Sequence, residues 1–475
     1  MGVWDSVHSP LTERMGCSDG WVIGVISMPG LVSPVRLTMN NSEIHIGEKL
    51  FRTGNPDGAR QCFQAILTND PDNAAALNDL AAVETAEGDL SSAYRHLVEC
   101  LNLAPDYRDA VLNFSAVCRL MNASSCAAVA VWRYWCFHPD DGEVGALAAA
   151  IGVPRPTSRA VAVVGRPGCE ALTEDIAAYL QNLHRVTTCF NLSKAGLSAS
   201  LASAEIVWIE RVDDIAVELT NDDYLLECKR VICRLHPDDM YSPACRAVRW
   251  EKIHDVVLDA PYVREYMRDH LPTWINDIRR IHVIPRGINL SKYPFRARGA
   301  GKNLAFIGDM EFRGGPMLLV QAFAGLIRRN AEYQLHIAGH LWDDCYPLYF
   351  MQMASELGLR RQIHFDGCID DVPRWLADKH YLISTSLSES PGVGIREAMA
   401  CGVKPVIHNF IGARSIYDSR FLWNTVDEFA EMIIHGDYHS EEYRRFVERD
   451  FSYHRQGILL DALFLQVEKD LNGRT

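Results

Sequence analysis

The chain reads as an α/β protein in which two parallel-sheet lobes follow an all-helical repeat array, and three observations predict it. Sequence markers recur every 34 residues between about residue 40 and residue 141. Beyond residue 158, short β-branched apolar runs alternate with helical segments in two successive series, the pattern of parallel sheets covered by helices. Within the second series, residues 381–408 (YLISTSLSESPGVGIREAMACGVKPVIH) spell out one strand, turn, helix and strand.

Length and composition set the frame. At 475 residues, with 48% apolar and 23% charged residues, the chain is in the range of a globular protein of about three domains. A formal charge of −14 argues against nucleic acid as a partner and against attraction to anionic lipid. The 14 cysteines form no Cys-x-x-Cys pair and fall in apolar patterns, which suits reduced thiols and a cytoplasmic location. No run approaches the ~18 apolar residues of a spanning helix, so no integral membrane segment is expected. Residues 1–39 read as an N-terminal tail. Its apolar part, 21–35, is interrupted by Gly24, Pro29, Gly30 and Pro34 and makes a poor signal peptide, and Met39 is a candidate internal start.

Residues 40–150 carry the repeat. Pro71, Pro105 and Pro139 are each 34 apart, as are Ala59, Ala93 and Ala127, and Gly54, Gly88 and Asn122. A small residue lets two helices approach, Gly or Asn takes the turn between them, and Pro closes the pair. The segment resembles the tetratricopeptide repeat, with units at 40–73, 74–107 and 108–141. Ala81 and Ser115 depart from the family's first-helix glycine. The resemblance implies a concave face for a docked protein or peptide; a homo-oligomer contact or a spacer is the equal alternative. Residues 142–151 would cap the array.

Strands are expected in the first lobe (158–294) at 160–165, 185–190, 205–210, 230–235, 255–258 and 281–285. This is a Rossmann-like pattern, but no Gly-x-Gly-x-x-Gly follows the first strand, so no dinucleotide cofactor is expected. His236 stands at the carboxyl end of RVICRL, where ligands bind in open parallel sheets. Its neighbours Asp238 and Asp239 would raise its pKa or hold its tautomer.

The basic, glycine-containing stretch 292–302 links to the second lobe (302–435), with strands at 303–307, 334–339, 363–367, 381–385 and 404–408. The last segment, 436–475, is helical by periodicity. In the signature unit, Glu389 and Glu397 bracket a turn containing Gly392 and Gly394. Glycines there admit close backbone approach, and a helix N-terminus offers unpaired N–H groups to an anion, which suits a phosphorylated or polyhydroxylated ligand.

The string Glu389-SPGVGIR-Glu397-AMACG-VKPVI resembles the signature of the retaining glycosyltransferases of family four. The resemblance covers about the last two-thirds of the chain. It implies two facing Rossmann-like lobes (GT-B), with the C-terminal helix crossing back to the first lobe, and transfer of a hexose-type sugar from a UDP- or GDP-linked donor to an acceptor. It further implies that Glu397 binds the ribose, that Glu389 contacts the donor sugar, and that His236 reaches the reaction centre. Gly308, Arg313 and the backbone of Gly392, Val393 and Gly394 would bind the donor, with no cofactor and no metal. Asp309 stands where the family usually has a cation, and Arg286 is a candidate replacement. The alternative is a repeat-based interaction scaffold with a non-catalytic nucleotide-sugar lobe.

Overall fold

The computed structural model describes residues 41–167, 170–190, 193–270, 278–340, 345–388 and 392–473. The expected tail and Glu389 lie outside them.

The chain opens with helical hairpins: Asn41–Arg52 with Pro56–Asn69, Ala74–Glu87 with Leu90–Leu103, and Arg108–Leu120 with Ala128–Phe137. The three period markers share one structural role each. Gly54, Gly88 and Asn122 take the left-handed backbone (φ 80°, 86° and 55°) that reverses the chain between paired helices. Ala59, Ala93 and Ala127 are buried where helices meet. Asn55, Asn73 and Asp89 cap the following helices through their side chains.

The first lobe holds a six-stranded, all-parallel sheet in the order β2-β1-β3-β4-β5-β6. Its strands are β1 Ala160–Val164, β2 Arg185–Cys189, β3 Ile206–Ile209, β4 Arg230–Leu235, β5 Asp255–Leu258 and β6 Arg280–Val283. The central strands β3, β4 and β5 are buried along their whole length, as β-branched runs covered on both faces should be. The charges they carry are paired inside, Arg230 with Asp255 at 2.6 Å.

The second lobe repeats the plan in the order β12-β11-β10-β7-β8-β9. Its strands are β7 Asn303–Ile307, β8 Gln334–Ala338, β9 Ile363–Gly367, β10 Tyr381–Ser384, β11 Lys404–His408 and β12 Leu422–Trp423. The chain changes direction across each sheet at one place, between β1 and β3 and between β7 and β10. The strand ends there open a crevice suited to a ligand.

The segment 440–472, expected as helix, is two helices, Ser440–Phe451 and Tyr453–Asn472. Ser452 breaks them and caps the second through its hydroxyl, which accepts from Arg455 N–H at 3.1 Å. At the break the chain runs beside the outgoing linker: Ile288 N–H donates to Phe451 O (2.7 Å) and Tyr453 N–H donates to Ile288 O (3.0 Å). The first helix packs on the second lobe through Tyr443, Val447 and Phe451. The second returns to the first lobe, and Leu460, Leu463, Phe464 and Val467 join one apolar core with β1 and the helical array. Arg133 of the array meets Asp461 of that helix at 3.1 Å, and Tyr179 of the first lobe donates to the same carboxylate. The helical array is thus continuous with the first lobe rather than hung from it.

Candidate functional site

In the second lobe, the loop after β7 is seated on the end of β10. Gly314 O accepts from the Thr385 hydroxyl at 2.7 Å, and Arg313 O accepts from Leu387 N–H at 3.0 Å. Gly315 (φ +65°) has to be glycine, because a Cβ there would lie 2.2 Å from Thr385 O. Gly308 N–H donates to Ala338 O, holding the β7 end against β8. Asp309, the acidic residue where the resemblance implies a cation, accepts from His340 N–H at 2.9 Å and lies 3.2 Å from His340 Nδ1.

Gly392, also left-handed (φ 62°), leads into the helix Val393–Ala400, whose N-terminus has no side-chain cap. Among the described residues, the first-turn amides, including those of Val393 and Gly394, therefore lack the side-chain acceptor that a Ser or Asp cap would supply. Glu397, one turn on, is half-buried, and its carboxylate accepts from the Tyr293 hydroxyl of the linker. Burial holds the Glu397 carboxyl above its ordinary value, while Tyr293 and Arg286 act in the opposite sense. Arg396 beside it is buried, donates to Arg286 O at 3.0 Å and stacks over the Phe451 ring, 4.0 Å from its centroid.

Across the cleft, the β3, β4 and β5 ends bring a charged cluster together. His236 is 2% exposed. Its Nδ1 lies 2.8 Å from Asp259 Oδ2, and its Nε2 lies 3.1 Å from Glu210 O and 3.7 Å from Glu210 Oε1. Arg234 stands between the two acids, 3.4 Å from Glu210 and 3.8 Å from Asp259. Burial disfavours charge on the imidazole, but Asp259 and Glu210 outweigh it and push His236 up to about 10. Burial likewise opposes ionisation of Asp259, yet His236 and Arg234 bring it down to about 2.

Asp238 and Asp239, expected to act on the His236 ring, make no contact with its nitrogens, although Asp239 and the imidazole favour each other's charge through space. Asp239 accepts from the backbone N–H groups of His236 and Val212, both at 3.1 Å, and pairs with Arg211. Asp238 pairs with Arg211 (2.8 Å) and, across the cleft, with Arg313 (3.2 Å). The ring's partner is Asp259, at the end of the neighbouring strand. Nothing local in the sequence marks it beyond an acidic residue closing the apolar run DVVL, as His236 closes RVICRL.

A small open pocket lies between the lobes, with Pro237 and Asp259 on one side and Gly392, Arg396, Phe410 and Tyr417 on the other. The structure thus brings the His236 loop, Arg313, Gly392 and Arg396 to one cleft. The Glu397 carboxylate is turned to the linker instead. A second small pocket, at the β1/β3 crevice, is lined by Gly165, Arg166, Glu210 and Arg211 among others. Arg286 is buried against the first lobe, where it pairs with Asp175 at 2.8 Å. Sequence reasoning gave no role to Arg396, Tyr293, Glu210 or Asp259, although Arg396 lies within the signature string.

Residues 301–435 match the family model described as Glycosyl transferases group 1. That match spans all of the second-lobe sheet and its signature helix. The chain is 25% identical over 235 residues to a D-inositol 3-phosphate glycosyltransferase of Corynebacterium glutamicum (strain R), 45% of this chain and 55% of that one. It is 29% identical over 167 residues to the protein of the same name from Arthrobacter sp. (strain FB24), 30% of this chain and 38% of that one. The chain thus spans about half the length of these curated relatives, or less. A crystal structure of a glycosyltransferase from Rickettsia africae ESF-5 superposes with a TM-score of 0.51 at 15% identity, over 66% of this chain and 98% of that one. This likeness concerns the fold: two parallel-sheet lobes in the GT-B arrangement.

Proposed function

We propose that the protein is a glycosyltransferase that moves a hexose-type sugar from a UDP- or GDP-linked donor to an acceptor with retention of configuration. The match of residues 301–435 to the glycosyl transferases group 1 model, with the uncapped signature helix at the cleft, carries this reading. In it, Glu397 accepts the ribose hydroxyls and Glu389 contacts the donor sugar. The Gly308 backbone, the Gly392–Val393–Gly394 amides and Arg313 balance the charge that builds on the diphosphate as the glycosidic bond breaks. One well-placed donor to such charge is typically worth about 3 kcal/mol. No resident metal or cofactor takes part. Arg313 exchanges Asp238 for the diphosphate, and because the arginine is exposed this costs at most about 1 kcal/mol.

The acceptor side is the first lobe. The helical hairpins are read as tetratricopeptide repeats that dock a protein or peptide acceptor, or a second copy of the chain, in the cytoplasm. The relatives' name offers a different acceptor, an inositol phosphate, so both classes belong in the assay. The test is a thermal-shift screen with UDP- and GDP-sugars on the full chain, in which a ligand of the folded state raises the melting temperature by mass action. A shift with one nucleotide series that is lost in Glu397→Ala is expected. No shift with any nucleotide sugar would overturn the reading and leave a repeat scaffold with a silent nucleotide-sugar lobe.

A further inference from the structure

The two ring nitrogens of His236 lie beside the oxygens of a carbonyl and of a carboxylate. Nε2 lies 3.1 Å from a backbone carbonyl, Glu210 O, and Nδ1 lies 2.8 Å from a carboxylate oxygen of Asp259. A carbonyl has no proton to give, so Nε2 has to carry one. The Asp259 carboxylate beside Nδ1 is buried with no hydrogen-bond donor aligned on it; with Arg234 and Arg396 favouring its ionised form it has no proton to give Nδ1, and its charge favours one there. A ring with a proton on each nitrogen is an imidazolium.

We propose that Asp259 is a positioning residue that fixes His236 as a permanent imidazolium, so that the histidine serves sugar transfer as a positive charge and not as a proton acceptor. The proposal rests on reading His236 as part of the transfer site. The surroundings are consistent with it from every side. Glu210 at the end of β3 offers its carbonyl and, at 3.7 Å, its carboxylate. Arg234 of β4 holds Glu210 and Asp259 apart, and Asp239 in His236's own loop takes the backbone N–H. From the second lobe, Arg396 favours the ionised form of Asp259. Four acids (Glu210, Asp238, Asp239 and Asp259) against five cations (Arg211, Arg234, His236, Arg313 and Arg396) leave the cleft wall with one net positive charge when His236 is protonated. That sign suits a developing diphosphate, and it supplies positive charge in a site where the residue after Gly308 is an aspartate. A neutral His236 would remove the excess.

The experiment is a pH titration of the full chain labelled with ¹³C at the histidine Cε1 positions. The His236 signal among the 17 histidines is assigned by its loss in His236→Gln. In the wild type the His236 signal should stay fixed from about pH 5.5 to about pH 9, where an ordinary imidazole moves near ~6.5. Asp259→Asn should lower its midpoint by at least about two pH units, and Asp259→Glu should restore it. A wild-type midpoint below about 7, a signal fixed at the neutral-imidazole shift instead of the imidazolium shift, or an Asp259→Asn midpoint unchanged from wild type would overturn the proposal. Should Asp259→Asn fail to fold, the wild-type titration decides alone. The measurement needs neither donor nor turnover, so a failed nucleotide screen with a fixed His236 signal would remove the function and keep the imidazolium. The reverse pattern would do the opposite. Where transfer is detected, the wild-type kcat profile should show no ionisation near neutrality, and Asp259→Asn should acquire one.

Discussion

Gly315 connects the loop after β7 to the end of β10, and its replacement by alanine is the most sharply defined perturbation of the second lobe. Two costs add. The backbone is left-handed at φ +65°, where an L side chain loses about 1 kcal/mol or somewhat more. The new Cβ would also lie 2.2 Å from the Thr385 carbonyl oxygen, backbone that cannot rotate aside, and overpacking of this kind costs about 1–3 kcal/mol. Together they give roughly 3 kcal/mol for Gly315→Ala. Two other glycines separate the contributions. Gly358 has a similar φ (+70°) but nothing within 4 Å of its Cβ position, so Gly358→Ala should cost only about 1 kcal/mol. Gly142, at the start of the helix Gly142–Ala150, meets nothing within 4 Å and has no positive φ. Its alanine variant should be neutral or stabilising by about 0.5 kcal/mol. Urea denaturation followed by fluorescence, with midpoints compared at equal slope, measures all three. Gly315→Ala and Gly358→Ala with equal midpoints would refute the steric argument. Because Arg313 O is bound to Leu387 N–H in the same loop, Gly315→Ala should also weaken UDP or GDP binding by calorimetry.

Tyr293→Phe removes the hydroxyl donor to Glu397 and should raise that carboxyl further. Nucleotide binding that needs the ionised acid would then set in at higher pH than in the wild type, as calorimetry across a pH series would show. Arg133→Met leaves Asp461 buried without its cation; because that carboxyl can take up a proton instead, the cost should be about 1.4 kcal/mol at pH 7. Burial raises Asp461 to about 6 even with Arg133 lowering it, so the penalty should shrink as pH falls towards that value and be absent below it; equal losses at pH 5 and pH 7.5 would contradict this. Deleting residues 1–153 uncovers Leu460, Leu463 and Phe464 of the C-terminal helix, and the truncated chain should aggregate or bind a hydrophobic dye. A monomeric, dye-silent product would show that the array is an independent appendage.

What the sequence determined by itself is local. Runs such as NLAFI and KPVIH became strands with the bounds read from them, because a short β-branched apolar run between turn signals has few other uses. Gly54, Gly88 and Asn122 announced left-handed turns because few residues tolerate that backbone. The signature glycines likewise marked where the chain must turn into a helix at the cleft. Tertiary structure decided the partners. Asp238 and Asp239 are next to His236 in the chain, yet Asp259 holds its ring, because parallel pairing of β4 with β5 sets their carboxyl ends side by side. Glu397 meets Tyr293 and Arg133 meets Asp461 only once the linker and the last helix have crossed between the lobes. Periodicity depends on each residue's immediate neighbours, and so survives in the sequence. Which charges end up buried together depends on strand order and chain crossing, and these are fixed only when the whole core has formed.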